Sequence, residues 1–88
     1  MQEAKVKIQN KTGLHARSAA LFVQIANKFR SNIKIEKDGQ EVNGKSILNV
    51  MTLAAAKGTQ LILRVEGEDE EKALLELKKL VDDRFGEE

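Results

Sequence analysis

Residues 4–29 read AKVKIQNKTGLHARSAALFVQIANKF, and the spacing of the apolar residues changes within them. Apolar and polar residues alternate from Ala4 to Ile8, which is the period of a strand with one face on a core. The following apolar residues recur at steps of three and four, as on one stripe of a helix: Ala19, Phe22, Ala26 and Phe29. The pattern predicts a strand over residues 3–9 and a helix from His15 to near Arg30.

The rest of the chain continues to alternate between the two periods. Two short strands flank Asp38-Gly39, a pair that favours a tight hairpin turn. A short helix begins at Ser46 as N-cap and ends by Gly58, a strand covers residues 61–66, and a last amphipathic helix begins at Asp69. The predicted order is βαββαβα. Four strands with one apolar face and two long amphipathic helices are typical of a two-layer α+β sandwich.

Length and composition restrict the class of protein. A chain of 88 residues with 41% hydrophobic residues predicts one domain over residues 1–88, too small to enclose a deep substrate cavity. Lys and Arg number 15 against 14 Asp and Glu, which gives no general field for nucleic acid or anionic membranes. The absence of Cys and the single His exclude disulfides, thiolate nucleophiles and multi-His metal sites. We expect a cytoplasmic protein, because neither a signal peptide nor a membrane span of ~20 apolar residues is present. We also expect no cofactor.

His15 follows Gly13-Leu14 and opens the first predicted helix. Backbone N–H groups without helical partners lie at this position and form a site for anions. The positive helix end favours the neutral imidazole, whose lone pair can attack phosphorus. Arg17 is close enough in sequence to hydrogen-bond the oxygens of a phosphoryl group. The alternative is that His15 is a plain surface residue or an N-cap.

Ser46 also has two interpretations, which are compatible. It is a helix N-cap by its position, and its hydroxyl is a candidate for modification by a kinase. A phosphate there adds roughly −1.5 to −2 charges at the positive end of a helix, so the fold tolerates it. Its expected effect is on the partners that dock beside it.

The helix after Ser46 is apolar on nearly every side, yet a sheet of four short strands covers only one side of it. We therefore expect an exposed docking patch, which we call the α2 patch, made of Ile47, Leu48, Met51 and Ala20. The alternative is that most of these residues belong to the core. Val50 and Leu53 are predicted to be buried.

Two segments at a fixed separation carry a resemblance to a known family: TGLHAR at residues 12–17, with Ala19-Ala20, and VNGKSI at residues 42–47. They strongly resemble HPr, the histidine-containing phosphocarriers of the phosphoenolpyruvate-dependent phosphotransferase system, and the resemblance spans the whole chain. It implies an open-faced β-sandwich with sheet order 1-4-2-3. It also implies phosphorylation of His15 at Nδ1 by Enzyme I and transfer to the IIA domains of sugar permeases.

The resemblance assigns roles residue by residue. His15 matches the phosphoryl acceptor, Arg17 the active-centre arginine, and Ser46 the serine that a kinase/phosphorylase modifies in many Gram-positive bacteria. Ile47, Leu48 and Met51 match the partner-facing helix. The serine-phosphorylated form in those bacteria is a corepressor that binds a catabolite-control transcription factor. A paralogue with a purely regulatory role typically lacks the histidine, which favours a carrier here.

Three positions depart from the family pattern. Ser18 stands where the family usually has proline, so we expect a looser first helical turn and a hydroxyl or N–H able to contact a phosphoryl oxygen. Asn49 replaces a common glycine and Gly44 a common apolar residue. Both changes are expected to alter docking or kinase recognition without removing a reacting group.

The leading functional hypothesis is a monomeric phosphoryl carrier that is not itself an enzyme, because it lacks a second base, a metal site and a closed pocket. The alternative is a purely regulatory module controlled by phosphorylation of Ser46, with His15 unused in transfer. A nucleic-acid binder is disfavoured, since the only aromatic residues are three Phe and the charge is balanced.

Overall fold

The computed structural model describes residues 1–87; Glu88, the last residue of the expected domain 1–88, lies outside the described residues. The strands are β1 (Gln2–Lys7), β2 (Asn32–Lys37), β3 (Gln40–Asn43) and β4 (Gln60–Glu66). The helices are α1 (Ala16–Ala26), α2 (Ile47–Met51) and α3 (Glu70–Asp82), followed by a single 3₁₀ turn over Arg84–Gly86. The predicted order βαββαβα is confirmed.

The four strands form one antiparallel sheet in the order β1-β4-β2-β3. Leu63 in the middle of β4 pairs with Ala4 of β1 on one side and with Ile35 of β2 on the other. The helices cover one face of the sheet and leave the other face in water. The expected two-layer α+β fold with order 1-4-2-3 is therefore confirmed. Within residues 1–87, none of the helices is both long and apolar enough to cross a membrane.

The core lies between the sheet and the two long helices. Alternate residues of the strands point into it, among them Val6, Ile33, Ile35, Leu63 and Val65. The apolar stripes of α1 and α3 face them with Phe22, Ala26, Leu77 and Val81. Because all of these side chains are buried, the core rigidly holds the loops at both ends of the sheet.

The predicted ends of two helices were wrong. Helix α1 stops at Ala26 instead of near Arg30, because Lys28 and Phe29 donate to carbonyls only three residues back and the chain turns. Phe29 is nevertheless buried, so its apolar signal comes from packing after the helix has ended. Helix α2 stops at Met51, and Ala54 then adopts a left-handed backbone with φ of 48° that no helix continues through. The first strand ends at Lys7 and not at residue 9, although Ile8 still hydrogen-bonds to Thr59.

Asp69 lies at the predicted N-cap of α3, but its side chain does not cap the helix. Its carboxylate instead accepts hydrogen bonds from the backbone N–H of Arg30 and Ser31, at 2.9 and 3.0 Å, and from the Ser31 hydroxyl at 2.5 Å. The Ser31 hydroxyl, followed by the Arg30 N–H, lowers the pKa of Asp69 to about 2. The carboxylate thus ties the start of α3 to the start of β2.

Candidate functional site

His15 is the N-cap of α1. Its backbone is extended, with φ of −117° and ψ of −172°, and its side chain turns back over the first helical turn. The ring atom Nδ1 accepts a hydrogen bond from the backbone N–H of Arg17 at 3.4 Å. About a third of the side chain, 33%, remains exposed. The imidazole therefore lies at the mouth of the helix N-terminus, as predicted, and caps it through one ring nitrogen.

Gly13 determines how the loop before His15 lies on the molecule. Its φ is +69°, and a Cβ at this position would come within 2.5 Å of the carbonyl oxygen of Ala55. The same carbonyl accepts a hydrogen bond from the N–H of Leu14 at 2.8 Å. Only glycine combines this backbone conformation with so close an approach. Gly13 thus fixes the loop against residues 55–56 and places His15 at the helix entrance.

Ser18 differs from its expected role. Its hydroxyl is fully buried, accepts a hydrogen bond from the N–H of His15 at 2.9 Å, and lies 3.1 Å from the carbonyl oxygen of Gly13. Together with the His15 side chain it forms a capping box, which satisfies backbone donors at both ends of the turn. The Ser18 hydroxyl thus supports the first turn, and the expected loosening relative to proline stays a prediction. A phosphoryl group on His15 finds no exposed hydroxyl of Ser18 to contact.

Glu87, close to the C-terminus, contacts the other ring nitrogen. Its Oε2 lies 2.9 Å from Nε2 of His15, while its Oε1 accepts from the Thr12 hydroxyl at 2.9 Å and from Nδ2 of Asn10 at 3.0 Å. The Thr12 hydroxyl, then Asn10, and to a smaller extent His15 lower the pKa of Glu87. A carboxylate with three polar contacts thus lies against Nε2 of the imidazole.

These contacts select one tautomer of the ring. An ionised carboxylate only accepts hydrogen bonds, so the nitrogen that faces Glu87 carries the proton. The N–H of Arg17 only donates, so Nδ1 presents its lone pair. Both neighbours therefore agree with a neutral imidazole protonated at Nε2. In this tautomer Nδ1 is the nucleophilic atom.

A strained turn brings Glu87 to the site. After α3 ends at Asp82, Arg84 and Phe85 adopt left-handed backbone conformations, with φ of 58° and 54°. Such conformations are unfavourable for residues that have a Cβ, and here the buried ring of Phe85 holds them in place. Sequence reasoning missed Glu87, Asn10 and Thr12 as neighbours of His15. Thr12 belongs to the TGLHAR segment, but no periodicity or motif marks its contact with Glu87, because that contact depends on the path of the chain after α3.

Arg17 follows His15 on the first turn of α1. Its side chain is exposed. The pair therefore presents a ring nitrogen and a planar cation on the same turn, next to N–H groups of the helix terminus. This arrangement suits an anion with several oxygens.

Ser46 is the N-cap of α2. Its Oγ accepts hydrogen bonds from the backbone N–H of Asn49 at 3.3 Å and from the side-chain Nδ2 of Asn49 at 3.0 Å. The hydroxyl is partly exposed. Its predicted position as an N-cap is confirmed, and the Asn49 side chain covers it.

The α2 patch is largely exposed. Leu48 is 77% exposed, Ile47 41% and Met51 39%, and the half-buried Ala20 lies on α1, which packs against α2. Val50 and Leu53 are buried, as predicted. The alternative that most residues of the α2 patch belong to the core is therefore excluded for Ile47, Leu48 and Met51, and most clearly for Leu48.

A family model described as the PTS HPr component phosphorylation site matches residues 2–83. The chain belongs to the HPr family. The resemblance inferred from the two sequence segments is thus confirmed, and this family is a phosphocarrier family of the phosphotransferase system.

Relatives of two kinds lie at similar distances. The chain is 52% identical over 81 residues to the HPr-like protein Crh of Bacillus subtilis, covering 92% of this chain and 95% of that protein. It is 47% identical over 87 residues to the phosphocarrier protein HPr of Xylella fastidiosa, covering 99% of this chain and 98% of that protein. Similarity alone therefore does not separate a carrier from an HPr-like protein of the Crh kind.

Solved structures agree with the fold. A crystal structure of an HPr from Thermoanaerobacter tengcongensis matches with a TM-score of 0.96 at 52% identity, and covers 100% of this chain and 99% of that one. A second structure from the same organism, described as an HPr dimer, matches with a TM-score of 0.79 at 52% identity over 99% of this chain and 100% of that one. The dimer is a property of that protein, and the monomer expected for this chain stays a prediction.

The two other departures from the HPr pattern have structural consequences. A Cβ on Gly44 would come within 2.6 Å of Cγ2 of Ile33 and 3.2 Å of the Phe22 ring, so glycine allows these core residues to pack there. Asn49 adds the side-chain hydrogen bond to Ser46 that a glycine lacks. Gly44 therefore affects the core, and Asn49 affects the surface around Ser46.

Proposed function

We propose that this protein carries a phosphoryl group on Nδ1 of His15, accepted from phospho-Enzyme I and passed to the IIA domains of sugar permeases. One observation carries the proposal: the neighbours of the imidazole leave a lone pair on Nδ1 at the N-terminus of α1, where Arg17 is exposed. Membership of the HPr family supports it.

The transfer needs no group that the site lacks. The lone pair of Nδ1 forms the new bond to phosphorus while the bond between phosphorus and the donor atom of phospho-Enzyme I breaks, and the electron pair of that bond stays with the donor. The proton on Nε2 remains in place. The ring then carries a positive charge next to Glu87, and the first-turn N–H groups and Arg17 are in reach of the phosphoryl oxygens. The partners supply the catalysis, so the protein is a carrier and not an enzyme.

The α2 patch is the proposed docking surface for these partners. Ile47, Leu48 and Met51 offer flexible and branched apolar side chains at the surface, which is the composition of sites that accept several partners in turn. We propose that the protein acts in the cytoplasm, as a single domain, and engages each partner as a monomer.

The test is phosphorylation by purified Enzyme I and phosphoenolpyruvate, followed by intact mass spectrometry. The wild-type protein is expected to gain one phosphoryl group that brief acid treatment removes, as phosphohistidine requires. His15→Ala is expected to gain none, while Ser46→Ala, which changes the other candidate site, is expected to behave as wild type. Uptake by His15→Ala, or none by the wild type with a cognate Enzyme I, would contradict the proposal.

The second candidate function is a regulatory module of the kind named Crh, favoured by the 52% identity to the Bacillus subtilis protein and by the partly exposed hydroxyl of Ser46. In this case an ATP-dependent kinase/phosphorylase phosphorylates Ser46 and a catabolite-control transcription factor binds the product. Ser46→Ala would then abolish binding of the factor, and His15→Ala would leave it unchanged. The two functions are compatible in one chain.

A further inference from the structure

We propose that Glu87 is a positioning residue that sets the tautomer of His15, so that Nδ1 and not Nε2 holds the lone pair. The inference rests on the proposed function in one respect: the choice of nitrogen matters for activity only if His15 accepts a phosphoryl group. The tautomer itself is a property of the resting protein and is measurable without any partner.

Two hydrogen bonds orient the Glu87 carboxylate through Oε1, the oxygen that does not face His15. Its Oε1 accepts from the Thr12 hydroxyl at 2.9 Å and from Nδ2 of Asn10 at 3.0 Å, and Asn10 is itself fully buried and donates to the carbonyl of Gly13 at 2.7 Å. These two donors orient the group so that Oε2 faces Nε2 of His15 at 2.9 Å. The Glu87 side chain is only 15% exposed, so water competes weakly for this contact.

The contact on the other side of the ring points to the same tautomer but is weaker. The N–H of Arg17 lies 3.4 Å from Nδ1, near the long limit of a hydrogen bond. A hydrogen bond to an ionised carboxylate at 2.9 Å is roughly twice as strong as a neutral one. Glu87 therefore contributes most of the preference.

The path of the chain also supports a specific role. Arg84 and Phe85 both keep left-handed backbone conformations, and the buried Phe85 anchors this turn, which packs against α1 and α3. Its result is that Glu87 reaches a residue 72 positions earlier in the chain.

The decisive variant is Glu87→Gln, which keeps the size of the side chain and reverses one hydrogen bond. The amide oxygen is expected to stay with the two donors, Thr12 and Asn10, so the amide NH₂ faces Nε2 and favours the tautomer that is protonated at Nδ1. Long-range ¹⁵N–¹H spectra of the imidazole, recorded in mildly alkaline buffer, give the ratio of the two tautomers. We expect the ratio to move toward protonated Nδ1 by about tenfold.

Glu68→Gln is the matched control for the loss of one negative charge. Glu68 is 80% exposed, and its Oε2 lies 3.6 Å from Nη1 of Arg30. The Glu68→Gln variant is expected to leave the tautomer ratio unchanged. Glu87→Ala, which removes the contact without reversing it, is expected to give an intermediate ratio. A ratio that stays constant in Glu87→Gln, or that moves equally in Glu68→Gln, would overturn the inference.

The functional arm is measured separately. The initial rate of phosphorylation by Enzyme I is expected to fall in Glu87→Gln in step with the fraction of ring that presents a lone pair on Nδ1, which is roughly twofold for a ratio that moves from about 10:1 to about 1:1, and to stay unchanged in Glu68→Gln. If the tautomer shifts but the wild-type protein takes up no phosphate, the proposed function fails and the role of Glu87 in setting the tautomer stands. If the wild-type protein is phosphorylated and the tautomer does not shift, only the role of Glu87 fails.

Discussion

Ser18→Ala is expected to destabilise the protein by about 1.5 kcal/mol. The substitution removes the only described acceptor of the His15 N–H, which the Ser18 hydroxyl contacts at 2.9 Å. The carbonyl of Gly13 also loses a donor but retains Nδ2 of Asn10 at 2.7 Å, and the carbonyl of His15 retains the N–H of Ala19 at 2.8 Å. One donor is therefore left without a partner. Such a donor costs about 1–3 kcal/mol, and we take the lower half because the site is part-buried.

Thermal unfolding followed by circular dichroism measures the effect. A loss of about 1.5 kcal/mol corresponds to a fall in Tm of roughly 6–12 °C for a domain of this size. Ser46→Ala is the matched control, because it removes an N-cap hydroxyl whose partners are exposed and can turn to water; about 0.5–1 kcal/mol is expected there. Equal losses in the two variants would refute the argument from the buried donor.

The family residue gives a second comparison at the same position. Ser18→Pro also removes the hydroxyl, but it restricts the unfolded chain and so recovers about 0.4–1 kcal/mol. Its stability is therefore expected to lie between those of the wild type and Ser18→Ala. A Ser18→Pro variant more stable than the wild type would mean that the capping box contributes less than its geometry indicates.

Asp69→Asn is expected to weaken the pH dependence of stability in acid. The pKa of Asp69 is lowered from its usual 3.8 to about 2 in the folded state by the Ser31 hydroxyl and the Arg30 N–H, so its contribution is present above 3.8 and is lost as the pH falls toward 2. Urea midpoints measured across this range should fall less steeply in the variant, and an unchanged slope would count against the assignment. Asn49→Gly is expected to speed phosphorylation of Ser46 by a cognate kinase roughly 2–10-fold, because it frees one lone pair of the hydroxyl; equal rates in a radiolabelled phosphate assay would exclude this effect.

The sequence predicted the elements well where one local pattern determines them. The alternation of apolar residues in β4 and the stripe of α3 follow directly from the need to bury one face of each, so both elements were identified from the sequence pattern. The neighbours of β4 in the sheet came from the family resemblance. The ends of α1 and α2 were missed because no local pattern marks them. Phe29 is apolar at a helical spacing, yet it is buried by a turn that follows the helix, and periodicity cannot distinguish the two cases.

The candidate site was predictable only in its local part. His15 and Arg17 lie next to each other on one turn, so the glycine, the helix start and the basic residue mark them together in the sequence. Glu87 is far along the chain, and its approach depends on two left-handed residues that no propensity would predict. The expected contact of the Ser18 hydroxyl with a phosphoryl oxygen was misjudged. A serine hydroxyl in a first turn can point to solvent or to the backbone, and the direction depends on packing that the sequence does not show.

One of the two groups that cap the first turn of α1, the Ser18 hydroxyl, takes no part in the proposed chemistry of His15. The imidazole caps the helix through Nδ1, the same atom that the proposed reaction modifies, so phosphorylation removes the acceptor of the Arg17 N–H. The phosphoryl oxygens offer acceptors at that place, and their negative charge is favourable at a helix N-terminus. The Ser18 hydroxyl bonds to the backbone of His15 and is independent of the ring. We therefore expect the Ser18 hydroxyl to cap the first turn with and without a phosphoryl group on His15. The Arg17 N–H can then change its acceptor from Nδ1 to a phosphoryl oxygen without unfolding the helix.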